Sequence, residues 1–446
     1  MFSALHRRSK RHRLTDERPA NSYTVFNRCW NFVKRSIVAS CVRPIVNRRA
    51  FLVASAFSSC ERIVYRMLGR LRGAMTDSGP DVFLLPGPVK TDPRVLQAMM
   101  RPAMNHRGAE FKEILAEIRA LTQYLFGTKG KVAVLSGSGT AGLEAAVTGL
   151  LRKEDRVLNL VNGKFSQRFH ELAQVYATAT PLSFEWGTAV NPKKVSGALE
   201  AGSFRAVTVC WNETSTGLTN PIAEIAKVVK DHDAFLIVDG ITAVAGLENR
   251  MDAWGIDALV MGSQKCLAAP PGLSAVALST EAYDSLHSDT SFYTDLKAHV
   301  DALAKQDTPY TPAVPLFLAF REALRMLKEE GLENRIARTT RLAEAARATV
   351  DALGLQLFPD PKFASNTVTA IRYPAGVDDS VFRRILREKH RTTVAGGQDH
   401  LKGRIFRIGH MGICSHEDLE AGFRSIEATL REMGHPIAHA GAGTGS

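Results

Sequence analysis

Five short apolar runs, each followed by a polar or glycine-bearing stretch, limit this chain more than any other feature. They are 131–135, 156–161, 206–210, 234–238 and 258–261. Helical stretches separate them. Continuous apolar strands of this length are buried on both faces, which an ordinary half-exposed antiparallel sheet does not require. The pattern predicts an α/β fold with a mostly parallel sheet covered by helices. A second region, about 331–436, has strand-like runs at 366–371 and 404–408 and a helix at 378–390, and reads as a smaller α+β domain. The stretch 316–353 reads as helical and charged, bridging the two.

The 446 residues suffice for two domains, and the boundaries expected are 1–80, 81–330, 331–436 and 437–446. The first is a basic extension and the last a Gly- and Ala-rich tail, both expected to be disordered. Residues 1–74 hold 16 of the 57 Lys and Arg but only 3 of the 45 Asp and Glu. The remainder is therefore near neutral, and gives no electrostatic case for nucleic-acid binding. The extension is compatible with a misassigned start, Met75 opening the protein, with an organelle-targeting peptide, or with a peripheral tether. The apolar patch near 51–57 is short and flanked by basic residues on both sides, a poor fit to a secretory signal. No run of about 18 apolar residues is present, so no transmembrane helix is expected. Three of the six cysteines lie in the extension. Cys210, Cys266 and Cys414 are scattered without metal-binding spacing. A reducing compartment, no structural disulfide and no metal are expected. The setting expected is cytoplasmic, or organellar if the extension is a targeting peptide.

Ligands of open parallel sheets bind beyond the carboxyl ends of the strands. Four polar clusters are expected to occupy that position, and together they suit one cofactor. Ser138-Gly139-Thr140 opens a helix after the first run, where backbone N–H groups and hydroxyls can hold an anion. The same residues could equally form a capped turn. Asp239 ends a very apolar strand, where a carboxylate is costly unless paired. A protonated pyridine nitrogen would suit it, and a helix cap is the plainer alternative. Lys265, in Gly262-Ser263-Gln264-Lys265, lies 26 positions beyond Asp239. A lysine there can form an imine with an aldehyde cofactor and, once released, act as a base. Arg407, between apolar strand residues, can grip a carboxylate with two parallel hydrogen bonds, or be an ordinary edge-strand arginine. His106 and Arg107 are ambiguous and lean to helix capping. Cys266 and Cys414 read as packing residues.

Taken in order, LLPGPV (84–89), NHRGAEF (105–111), SGSGT (136–140), NGKFSQR (162–168), NETSTG (212–217), VDGITA (238–243), GSQKCLAAPPGL (262–273), TPYTPAV (308–314) and FRIGHMG (406–412) resemble class V aminotransferases of the fold-type I pyridoxal-phosphate enzymes. The resemblance spans about 83–434 and is nearest to alanine–glyoxylate and serine–glyoxylate (serine–pyruvate) aminotransferases. It implies a seven-stranded sheet and pyridoxal 5′-phosphate as cofactor. It puts Lys265 at the Schiff-base lysine and Asp239 opposite the pyridine nitrogen. Ser138, Gly139, Thr140 and Gln264 fall at the phosphate. Phe165, a tryptophan in many relatives, and Ile241 fall on the two ring faces, and Thr214 at the phenolic oxygen. Arg407 and Gly87 fall at substrate-binding positions. Tyr310 and Thr311 are expected to reach the site of a neighbouring subunit, which implies a homodimer with shared sites. The activity implied is transamination between a small amino acid and a 2-oxo acid. A cysteine desulfurase, a ureidoglycine or aminoethylphosphonate aminotransferase, and a non-catalytic scaffold with the same fold are the competing expectations.

Overall fold

The computed structural model describes residues 82–435, so the basic extension and the tail 437–446 lie outside the described residues. The strands, in chain order, are β1 (Val82–Phe83), β2 (Lys131–Ser136), β3 (Arg156–Val161), β4 (Thr178–Ser183), β5 (Ala206–Cys210), β6 (Asn212–Glu213), β7 (Leu218–Thr219), β8 (Phe235–Asp239), β9 (Ala258–Gly262), β10 (Leu273–Leu278), β11 (Val368–Arg372), β12 (Thr392–Thr393), β13 (Ala395–Gly396) and β14 (Ile405–Gly409).

Seven of them form one sheet in the order β2-β10-β9-β8-β5-β3-β4. All run parallel except β10, which is antiparallel to both neighbours. Every residue of β5, β8 and β9 is buried, as their unbroken apolar composition requires. Side chains of a strand alternate between the two sheet faces, and each face meets its own helices. Val132 and Val134 join one apolar cluster with Phe111, Ile114 and Leu115 of the helix Ala109–Phe126 and with Phe317 and Phe320 of Val314–Glu330. Ala133 and Leu135 join the opposite cluster, with Leu143 of Gly139–Leu150 and Phe169 of Lys164–Tyr176. Each fully buried Leu or Phe in these layers contributes about 1.5–3 kcal/mol.

A third cluster lies against the C-terminal strands. The order there is β11-β14-β13, with β14 antiparallel to both neighbours. Phe406 and Ile408 pack against Leu342 and Ala346 of the helix Leu332–Ala352, Phe382 of Asp379–Glu388 and Phe423 of His416–Glu432. The last helix opens with a reciprocal cap, Ser415 and Asp418 each bonding the other's backbone N–H. Val82 and Leu84 belong to this cluster, and β1 pairs in parallel with β12. The arm before Lys90, grouped by the sequence reading with the larger domain, thus packs against the C-terminal region.

Candidate active site

The parallel strands all point their carboxyl ends to one edge of the sheet. A cavity of about 190 Å³ opens there, lined by the turn after β2 (Ser138, Gly139, Thr140), Phe165 and Arg168 after β3, Cys210, Asn212 and Thr214 around the end of β5, Asp239, Ile241 and Thr242 at the end of β8, and Gln264 and Lys265 after β9. Residues spread over more than a hundred positions of sequence converge because each follows a strand of one sheet.

Lys265 sits on the connection between β9 and β10. That connection is held by Ser263, whose Oγ donates to the Pro270 carbonyl (2.7 Å) and whose carbonyl accepts from the Ala269 N–H (2.9 Å). The Lys265 Nζ donates to the Pro86 carbonyl at 2.8 Å. Burial lowers its basicity to about 8; Arg407 and Arg168 push the same way and Asp239 opposes them. Gly87 lies against this amine. It holds φ +120°, and a β-carbon there would lie 2.3 Å from Nζ. A side chain there would displace the Lys265 amine, and the left-handed backbone itself selects glycine.

Asp239 is 6% exposed, and its Oδ1 accepts from the Ile241 N–H at 2.9 Å. Burial raises its carboxyl to about 6, the Ile241 bond working against that rise. A buried acid and a half-buried amine with basicities drawn toward neutrality thus share one cavity. Such perturbation is characteristic of functional sites.

Ser138 caps the helix Gly139–Leu150 without a side-chain capping bond, so the capped-turn alternative does not account for its hydroxyl. Thr214 Oγ1 pairs with Thr242 Oγ1 (2.9 Å), which is also bonded by Asn212 Nδ2 (2.9 Å). The Oε1 of Gln264 is buried and has no hydrogen-bond partner. A buried acceptor left unpaired costs about 1–3 kcal/mol.

Arg407 is on β14, the middle strand of its sheet, and is 5% exposed, so it is not an edge-strand arginine. Its guanidinium donates to the Gly396 carbonyl through Nε and Nη2 (3.0 and 2.8 Å) and to the Thr214 carbonyl through Nη1 (3.0 Å). It is not among the residues that line the cavity. Burial pulls its basicity down to about 10, and Glu213 opposes the drop. Tyr310 and Thr311 do not line this cavity. They line a small separate recess with Tyr293 and His299, and the Tyr310 hydroxyl donates to the Phe292 carbonyl at 2.7 Å. Arg107 bonds Asp307 and the Thr308 carbonyl, and its N–H donates to Asn105 Oδ1. The helix that follows is capped by Gly108 without a side-chain bond, so neither His106 nor Arg107 is its cap.

Four lining residues escaped the sequence reading: Arg168, Cys210, Asn212 and Thr242. Arg168 has a signal that could have found it, since it lies one helical turn after Phe165 and its guanidinium sits 5.1 Å from that ring centroid.

The model of the family described as aminotransferase class-V matches residues 90–410, well over half of the sequence. The chain belongs to the class V aminotransferases. An uncharacterized aminotransferase of Methanocaldococcus jannaschii is 42% identical over 371 residues, 82% of this chain and 96% of that one. The serine–glyoxylate aminotransferase of Methylorubrum extorquens is 34% identical, over 80% of this chain and 92% of its own length. Among solved structures, the ureidoglycine–glyoxylate aminotransferase of Bacillus subtilis superposes with a TM-score of 0.76 at 32% identity, covering 81% of this chain and 95% of that one.

The cofactor of this class V aminotransferase is pyridoxal 5′-phosphate. The cavity residues suit it: an amine of lowered basicity, a buried carboxyl for a ring nitrogen, an uncommitted hydroxyl at a helix N-terminus and an orphaned amide oxygen. Among the described residues no group of His, Cys, Asp or Glu could hold a metal ion, and no helix is long and apolar enough to cross a membrane.

Proposed function

We propose that this aminotransferase moves an amino group from a small amino acid, alanine or serine, to a 2-oxo acid, glyoxylate or pyruvate. The observation that carries the reading is that Lys265 and Asp239 line one cavity, with basicities of about 8 and about 6. The glyoxylate-utilising relatives supply the substrate class.

When bound, pyridoxal phosphate supplies an aldehyde that takes up amines and a protonated ring that spreads the charge left by a departing α-proton. Lys265 would hold it through Nζ. Ser138, Gly139, Thr140 and Gln264 would hold the phosphate, Phe165 and Ile241 would enclose the ring, and Thr214 would meet its hydroxyl. Asp239 would face the ring nitrogen, its carboxylate favouring the protonated form. Arg407 would orient the substrate carboxylate with the part of its donor fork that Gly396 and Thr214 leave free, and Gly87 would leave room beside Nζ. Lys265 Nζ, freed when the substrate amine takes its place, would take the proton from the substrate α-carbon and return one. Its lowered basicity keeps a useful neutral fraction near pH 7–8, where a general base works best.

Tyr310 and Thr311, outside their own chain's cavity and beside the exposed Phe292 and Tyr293, fit a homodimer in which each subunit completes the other's site. The buried free thiols Cys210, Cys266 and Cys414 fit a reducing, cytoplasmic setting. They do not favour a desulfurase. Burial pushes the Cys414 thiol up to about 12, far from a poised nucleophile.

The test is the visible spectrum of the purified protein and its Lys265→Ala variant. The native protein should carry a yellow band that bleaches with alanine or serine and returns with glyoxylate. The variant should show no turnover. Substantial transamination by the variant would remove Lys265 from its role.

A further inference from the structure

Glu213 is fully buried, and nothing in the reaction above uses it. It follows β5 by a few residues, next to the cavity residue Thr214. Its carboxylate has no basic partner within ion-pair distance among the described residues and is satisfied by hydrogen bonds alone. Oε1 accepts from the N–H of Phe165 (3.2 Å), the N–H of Ser215 (3.2 Å) and the hydroxyl of Ser215 (2.5 Å). Oε2 accepts from the N–H of Ser166 (2.8 Å) and lies 3.0 Å from its hydroxyl.

Phe165 and Ser166 lie in the first turn of the helix Lys164–Tyr176, whose N-cap, Gly163, has no side chain to satisfy the orphan N–H groups of that turn. The third such donor, the Lys164 N–H, goes to Ser215 Oγ at 2.9 Å. Three successive donors of one helix end are thus received by a single loop, 213–215, that comes from another strand. A carboxylate is also favoured by the partial positive charge of a helix N-terminus. The approach is so close that a β-carbon on Gly163 would lie 2.2 Å from the Glu213 carboxyl carbon.

This junction joins two walls of the cavity. One carries Phe165 and, a turn later, Arg168. The other carries Thr214, whose hydroxyl meets Thr242 and whose carbonyl receives Arg407. The negative charge of Glu213 also supports the charged form of Arg407. We propose that Glu213 is a positioning residue that locks the Phe165 wall to the Thr214 wall, and so sets the orientation and affinity of the bound cofactor. The inference rests on the cofactor site proposed above.

Glu213→Gln keeps the shape and removes the charge. Whichever way its amide turns, the NH2 group faces at least one backbone N–H that needs an acceptor. Cofactor affinity and visible circular dichroism, measured on the full chain, read the outcome. The native chain must first show the visible band; its absence would defeat the cofactor site itself and this inference with it. Given that band, Glu213→Gln should bind pyridoxal phosphate at least about tenfold more weakly. At saturating cofactor its ellipticity per bound cofactor should fall by about half or more, because the ring is no longer held in one orientation. An unchanged dissociation constant and unchanged visible ellipticity, with only a lower melting temperature, would make Glu213 a fold element and overturn the proposal. Should Glu213→Gln fail to fold, Ser215→Ala, which removes the Lys164 acceptor and one Glu213 donor, is read in the same way. It should lower ellipticity at saturating cofactor, and native ellipticity in that variant would overturn the proposal.

Discussion

Asp239 and Lys265 impose opposite pH dependences on the cofactor-free protein. Burial raises the Asp239 carboxyl to about 6 from an ordinary 3.8, so the folded state binds more protons between those values and loses stability as pH rises through them. Lys265 is lowered to about 8 from 10.5, so the unfolded state binds more protons in that interval and stability rises with pH there. Near pH 7 both penalties stand in full. Asp239→Asn keeps an acceptor for the Ile241 N–H and removes one buried charge. In the cofactor-free protein it should raise stability at pH 7 by about 2 kcal/mol and flatten the decline between pH 4 and 6. Urea unfolding at pH 4.5 and 7 measures both, and a variant less stable than the native chain at pH 7 would contradict the account. These two residues were legible in the sequence because a charge directly after an apolar strand needs a reason. Asn212 and Thr242 were not, because a neutral polar residue after a strand is common. Their value lies in a network, Asn212 to Thr242 and Thr367, that joins positions 155 apart in sequence. Glu213 was within a quoted motif, yet only the fold brings it the N–H groups of Phe165 and Ser166 at a distant helix end.

The same division between local and distant causes operates in the elements. The buried strands of the central sheet were readable as apolar runs, and β3 and β5 begin and end where the runs do. Strand β4 was missed, since Thr-Ala-Thr-Pro-Leu-Ser has no apolar run. As an edge strand it needs none, and Pro181 is tolerated there. Strand β10 was also missed. The connection carrying Lys265, from Gly262 to Leu273, is shorter than a crossover of a dozen or more residues, so β10 must return antiparallel. The charged stretch read as helical over 316–353 holds two helices, Val314–Glu330 and Leu332–Ala352. They break at Gly331, which holds φ +86° and ψ 134°. Glu330 braces the break by pairing with Arg335 and Arg338, which reach the carbonyls of Cys266 and of Gly412 and Cys414. Gly331→Ala places a β-carbon in a backbone region few L-residues adopt and should cost about 1–3 kcal/mol. A lower urea midpoint with unchanged slope is the expected reading. No change in midpoint would mean that the two helices can meet in another conformation.

At the scale of the whole molecule, the basic extension and the catalytic body separate by charge. Beyond residue 74 the chain holds 41 basic and 42 acidic residues, while the full chain carries +12. Nearly all attraction to an anionic surface therefore belongs to residues 1–74. The first described residues are tied into the fold: Val82 pairs with Thr392, and Leu84 is fully buried in the C-terminal cluster. Two truncations on either side of that point should behave differently. A chain opening at Met75 keeps every described residue that lines the cavity and should hold its cofactor and transaminate within about twofold of the full chain. It should also lose retention on a cation-exchange matrix. A chain opening after Leu85 loses Val82 and Leu84, leaving space against Phe423 and its neighbours, and should be destabilised by several kcal/mol, on the order of 2–5 for one large core side chain alone. Because the Pro86 carbonyl that meets Lys265 Nζ follows directly, its cofactor affinity should fall as well. Equal stability of the two truncated chains would mean that the short β1 pairing contributes nothing to the C-terminal core. Loss of cofactor from the Met75 chain would instead place part of the site in the basic extension.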